Sequence, residues 1–107
     1  ITAMPSPFAP CLMEITTEVH DGVATIALAG AFDFASRRAF KRECARHLAG
    51  GEVGTLDIDL AGVAHDTTLP GLLLVVREHA RGAGKRLQVR NADAATEAAL
   101  ALTAFFA

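Results

Sequence analysis

Two strand-like runs meet at Asp21-Gly22, and between them they decide most of what this chain can fold into. Before the pair, Met13, Ile15, Thr17 and Val19 alternate with Glu14, Thr16, Glu18 and His20. A period of two suits a half-buried strand and no helix. Asp-Gly offers the positive backbone angles of a tight hairpin, and VATIALAG over residues 23–30 reads as the returning strand. Ahead of this hairpin, residues 1–12 carry Pro5, Pro7 and Pro10 among small side chains. They read as a flexible N-terminal tail, so the folded domain is expected over 13–107.

The period then changes. Asp33 or Ser36 can cap a helix running to about Ala49, with Phe40, Cys44 and Leu48 recurring every four residues and Ala39 and Ala45 beside them. Gly50-Gly51 stops it. Residues 55–60 (TLDIDL) predict a third strand, followed by AGVAHD as a loop. A second helix is expected from Thr67 or Thr68, burying Leu69, Leu72, Leu73, Val76 and Ala80 and ending at Gly82 and Gly84. LQV at 87–89 predicts a fourth strand and residues 94–106 a third, Ala-rich helix. The order β-β-α-β-α-β-α predicts a single α/β domain, with helices flanking one mixed sheet of four to five strands.

Composition removes several classes of function. The longest mainly apolar run, Leu69 to Val76, is eight residues, whereas a membrane span needs about 20. Membrane insertion is therefore not expected. The N-terminal stretch has no basic residue ahead of an apolar run, so it does not read as a secretory leader. Two cysteines, Cys11 and Cys44, are too few for a disulfide framework, which points to a reducing cytoplasm. The formal net charge is −2, but the ten basic residues form two blocks. Residues 36–46 set Arg37, Arg38, Lys41, Arg42 and Arg46 against Glu43, and residues 77–90 set Arg77, Arg81, Lys85, Arg86 and Arg90 against Glu78. The aromatic residue among these cations, Phe40, falls on the apolar stripe of its helix and not on the charged face, so the blocks read as solvated faces, with no direct nucleic-acid contact.

Chemistry concentrates at HDTTLPG, residues 65–71, where an acidic residue closes a loop after a strand and two hydroxyls open a helix. Free N–H groups at a helix start favour a phosphate, so a hydroxyl there suits phosphorylation. The plainer alternative is that Thr67 or Thr68 only caps the helix, with Pro70 fitting its first turn. His20, His47, His65 and His79 lack metal-ligand spacing, and Cys44 with His47 gives two ligands where zinc needs more. His65, Asp66 and Thr67 are adjacent and cannot form a catalytic triad as they stand. No glycine loop of the phosphate-cradling kind is present. No catalytic residue, cofactor or metal is expected, and Cys44 reads as core.

The order and spacing of several segments resemble the STAS family, which includes bacterial anti-sigma factor antagonists and the cytoplasmic domains of sulfate transporters. They are Gly30-Ala31-Phe32-Asp33, Leu56-Asp57-Ile58-Asp59-Leu60 with Gly62-Val63, Asp66-Thr67-Thr68, Arg81-Gly82-Ala83-Gly84-Lys85, and the helix from Glu97 to Thr103. The similarity spans about residues 14–106. It implies a binding switch and no enzyme. In the antagonists a Ser or Thr after the Asp is phosphorylated by a serine-threonine kinase that is also the anti-sigma factor. Carried over, the phosphoacceptor is Thr67, with Thr68 as the alternative. Asp33, Asp66, Thr67, Thr68, Gly71 and Leu72 would form the partner-binding surface. Leu69 and Pro70 stand where the pattern has Gly and Leu, which implies that a partner backbone is held further off. Asp57 sets a carboxylate in a usually apolar strand. The resemblance also implies an alternative: a non-catalytic subunit on the ATPase of a bacterial phospholipid-trafficking ABC transporter, where Thr often follows the Asp.

Overall fold

A computed structural model describes residues 13–64 and 66–102. The expected tail, residues 1–12, lies outside the described residues, as do His65 and the last residues of the expected third helix. The elements are β1 (Glu14–His20), β2 (Val23–Gly30), α1 (Phe34–Ala49), β3 (Thr55–Val63), α2 (Leu69–Gly82), β4 (Arg86–Arg90) and α3 (Ala94–Leu102). The sheet has four strands in the order β1-β2-β3-β4. β1 runs antiparallel to β2, whereas β2-β3 and β3-β4 are parallel, so the sheet is mixed.

The hairpin forms as its residues predict. Asp21 and Gly22 both adopt positive φ, 51° and 78°, which matches the right-handed twist of the strands they join. The Gly22 carbonyl then accepts from Gly54 N at 2.8 Å and Thr55 N at 3.2 Å, tying the turn to the start of β3. Parallel neighbours require crossover connections, and α1 and α2 supply them. The two helices touch each other and α3 rests against α2. Ala24, Ile26, Leu56 and Ile58 on the strands meet Phe40 and Leu73 from the helices, all fully buried. Cys44 joins this core, where burial pushes its thiol up to about 12. Lys85 reaches from the turn after α2 to the Gly50 carbonyl, satisfying the C-terminal end of α1.

β3 is longer than its sequence suggests. Ala61, Gly62 and Val63 belong to the strand and not to the following loop. The register shifts between Ala27 and Ala29, so that Ala29 pairs with Gly62 and Gly30 with Val63. This irregularity carries the pair onward at close quarters. A Cβ on Gly62 would lie 2.8 Å from Ala29 Cβ and 3.1 Å from the Leu28 carbonyl oxygen, closer than packed atoms tolerate. Gly71, in the first turn of α2, would meet nothing within 4 Å.

These surroundings separate two glycine substitutions. Gly62→Ala should destabilise the domain by about 1–3 kcal/mol through overpacking. Gly71→Ala should leave stability unchanged or raise it by up to about 1 kcal/mol through helix propensity. Denaturant midpoints of the two variants would check this, and equal midpoints would contradict the close approach at Gly62.

Candidate functional site

The C-terminal ends of β2 and β3 each turn into a helix, and an aspartate makes each turn. Asp33, extended at φ −121° and ψ −174°, caps α1 by accepting from Ser36 N at 2.7 Å. This bond from the Ser36 N–H, with help from the Ser36 hydroxyl, holds the Asp33 carboxyl below the ordinary carboxylate range. At the start of α2, Asp66 Oδ1 accepts from Thr68 N at 2.7 Å and from Thr68 Oγ1 at 2.5 Å. The Asp66 carbonyl accepts from Leu69 N at 3.3 Å.

This corrects the expectation that a threonine caps the helix. Thr68 occupies the cap position but is already helical (φ −89°, ψ −12°) and makes no side-chain cap bond. A cap residue works from extended backbone. The carboxylate two residues earlier instead draws Thr68 back into an Asx turn, which sets the chain's entry into α2.

The two helix starts are joined by one side chain. Arg37, in the first turn of α1, donates from Nη1 to Thr68 Oγ1 at 3.3 Å. Arginine only donates, so the Thr68 hydroxyl accepts from Arg37 and gives its own proton to Asp66. Thr68 is therefore held in a relay, Arg37 to Thr68 to Asp66. Thr67 is exposed beside it, and its hydroxyl has no hydrogen-bond partner among the described residues.

The remaining residues singled out by sequence divide cleanly. Gly71 is exposed, whereas Leu72 is 8% exposed and holds α2 to the sheet. Leu72 thus supports this surface and does not present it. Leu69 is 3% exposed, so its side chain turns into the core and does not hold a partner off, contrary to the expectation from the family pattern. Asp57 proves to be a structural carboxylate. Arg90 Nε on β4 lies 2.9 Å from both of its oxygens. The same guanidinium reaches Asp59 at 3.9 Å, and Asn91 donates to Asp59 at 2.8 Å. Asn91 holds the Asp59 carboxyl below its ordinary range, with the Ala61 N–H assisting.

Sequence reasoning missed Arg37, which lay hidden within a cationic block. The contact spans 31 residues, so no local pattern could have found it. A hollow of about 110 Å3 between β3, α2 and α3 adjoins the site; ligand pockets run to about 300–1,000 Å3. No group of three or more potential metal ligands occurs among the described residues. None of the described helices is long and apolar enough to cross a membrane.

A surface of two adjoining helix starts with an exposed hydroxyl between them, and no more than a small hollow beside it among the described residues, suits a macromolecular contact. A family model described as Mlab, STAS domain matches residues 15–105. The chain belongs to the STAS family. Among solved structures, it is similar to SpoIIAA, a cell fate determinant of Bacillus, in its phosphorylated form. That match has a TM-score of 0.72 at 16% identity and covers 84% of this chain and 83% of that one. The unphosphorylated form of SpoIIAA, described as an anti-sigma factor antagonist, gives 0.69 at 16% identity over 85% and 81%. An anti-sigma factor antagonist from Mycobacterium paratuberculosis gives 0.66 at 24% identity over 91% and 82%. At these identities the likeness is one of fold, and the mixed sheet with three helices is the STAS fold. No curated protein sequence matches the chain.

The cap at Asp33 makes a pH-dependent contribution with a definite sign. Its folded-state pKa is depressed, so its stabilisation is complete above the unfolded value of about 3.9 and fades as pH falls through the lower folded value. Asp33→Ala should melt below the parent protein near neutral pH, and the gap should narrow below about pH 4. Thermal melts across that range would show it, and a gap independent of pH would exclude a role for the carboxylate charge.

Proposed function

We propose that this STAS domain is a protein-binding regulator resembling an anti-sigma factor antagonist, switched by phosphorylation of Thr67. Its partner in this reading is a serine-threonine kinase that also serves as the anti-sigma factor, and the setting is the cytoplasm. The domain catalyses nothing and needs no cofactor. The observation that carries the reading is the contrast between the two neighbouring threonines. Thr68 has its hydroxyl committed to Asp66 and Arg37, while the exposed Thr67 hydroxyl has no partner among the described residues. A kinase needs an accessible hydroxyl, and Thr67 has one. Asp33, Asp66, Thr68 and Gly71 complete the docking surface, with Leu72 beneath it.

The switch follows from charge. A phosphate on Thr67 adds about −1.5 to −2 units beside Asp66 and within one residue of the hydroxyl that Arg37 engages. Arginine binds phosphate in a bidentate fork and holds it more strongly than a neutral hydroxyl. Arg37 would therefore leave Thr68 for the phosphate, altering both the charge and the shape of the surface. The unphosphorylated form is the one that binds the kinase and so frees the sigma factor.

A second reading has its own support in residue type. Thr follows Asp66 where antagonists more often carry Ser, which fits a constitutive subunit on the ATPase of a phospholipid-trafficking ABC transporter. One mutant pair separates the two. Under the switch, Thr67→Glu abolishes partner binding, by about tenfold to a hundredfold for a charge buried unpaired in an interface, and Thr67→Ala retains it. Under the subunit reading both substitutions weaken binding. The measurement is affinity for the partner recovered from the native cell, by titration calorimetry; indifference to both changes would remove Thr67 from the interface altogether.

A further inference from the structure

The outer side of α1 presents a second surface. Phe34, Arg38, Lys41, Arg42 and Ala45 recur at three- and four-residue intervals and form a stripe beside the buried one of Phe40, Cys44 and Leu48, with Lys41 nearest to it. Phe34 is 69% exposed, and Arg38 lies over its ring with Cζ 5.8 Å from the centroid. This cation–π contact keeps a large apolar ring in solvent. Lys41 and Arg42 are exposed and have no acidic partner among the described residues. The helix's own acid, Glu43, is turned to the far side, where it accepts from Arg46 at 2.7 Å and from Thr17 of β1 at 3.2 Å.

Alongside this stripe runs the groove between α1 and α2. Arg37 and Thr68 bridge one end of it. The other end opens into a shallow concavity lined by Ala45, Leu48, Ala49 and Gly82 together with Glu78 and His79; Glu78 is paired there with Arg81 at 3.9 Å, and Val75 on α2 is 53% exposed. Unpaired cations thus flank an apolar trough in which an aromatic ring already stands in water.

We propose that the outer face of α1, with the adjoining groove, docks an acidic amphipathic helix of a partner protein. Its carboxylates meet Arg38, Lys41 and Arg42, and its apolar residues cover Phe34 and enter the groove. Charge complementarity names the acidic partner, and the apolar trough names a protein. A nucleic-acid backbone offers nothing to cover Phe34 and Val75. The proposal goes beyond the Thr67 switch and stands whether or not Thr67 is modified.

The test uses the isotope-labelled full chain and a synthetic amphipathic helix of Glu and Leu, about 18 residues long. Amide shift changes should centre on Phe34, Arg38, Lys41, Arg42, Ala45 and Val75. Binding should weaken as salt rises from about 0.05 to about 0.3 M. The triple variant Arg38→Glu/Lys41→Glu/Arg42→Glu should lose about tenfold or more in affinity, and Phe34→Ala several-fold. Every substituted side chain is on the surface, and unchanged circular dichroism verifies the fold of each variant. Loss of binding in Thr67→Glu with both α1 variants unaffected would locate the contact at the switch and overturn this proposal without touching the other. Absence of binding, or binding indifferent to both α1 variants, overturns it as well. Tighter binding to phosphatidylglycerol vesicles or to a single-stranded DNA oligonucleotide than to the helix would replace it with a lipid or nucleic-acid surface.

Discussion

Parallel pairing of β2 with β3 and of β3 with β4 is the constraint from which the rest of the molecule follows. A parallel pair cannot be closed by a hairpin, so each needs a crossover, and crossovers of this kind are almost always right-handed. Two successive right-handed crossovers stepping in one direction put α1 and α2 side by side. Their N-termini then emerge together at the C-terminal edge of the sheet. Asp33 and Asp66 are the residues that turn the chain at that edge, and Arg37 is the first side chain long enough to span it. The candidate site is therefore a product of topology: residues about 30 positions apart meet because the sheet steps one strand at a time.

The same pairing imposes close tolerances on the central strands. Ile26 and Leu28 on β2 lie against Leu56 and Ile58 on β3, and little of any of them reaches solvent. Keeping β3 paired up to Val63 requires the register shift at Ala27–Ala29 and a residue without a side chain opposite Ala29. Asp57 is tolerated in such a strand because it faces away from this core and meets Arg90 on β4 with both oxygens. Its charge has a partner, which removes most of the cost of its burial. Ala64 N then donates to the Gly30 carbonyl at 2.9 Å, so the chain leaves β3 beside the end of β2. That exit sets where Asp66 stands relative to Arg37.

Much of this architecture was legible because the decisive signals are local. The alternation of residues 13–20, the Asp21-Gly22 turn and the four-residue stripe of Phe40, Cys44 and Leu48 each name their element without help from the rest of the chain. What escaped is non-local. Ala61, Gly62 and Val63 show no alternation, and their strand exists because Ala29 and Gly30 are waiting across a bulge. The cap of α2 escaped for a subtler reason. Ser, Thr and Asp all make good caps, and residue type alone cannot say that Thr68 takes the cap position with helical backbone angles while its hydroxyl is drawn back to Asp66. Leu69 stands where the family pattern has Gly, yet it begins the stripe of Leu72, Leu73, Val76 and Ala80 that predicts a buried face, and it is 3% exposed. There the helical period is the better guide than the family position.

Arg37 connects these levels. It belongs by sequence to the cationic block of α1, but it is set apart from Arg38, Lys41 and Arg42 because its angular position turns it toward α2. Its neighbours remain with solvent, while its guanidinium hydrogen-bonds a neutral hydroxyl and reaches the Asp33 carboxylate only through space, a weaker hold than the charged acceptors arginine ordinarily finds. An arginine resting on a hydroxyl, one residue from an exposed threonine, is primed for a stronger acceptor. In the proposed switch that acceptor arrives on Thr67. Asp66 would lose the Thr68 hydroxyl's fixed orientation at the same moment, since the relay that set it runs through Arg37. A single phosphate would then change the surface twice, by its own charge and by releasing the threonine that Arg37 had held, and both changes fall on the segment that joins β3 to α2.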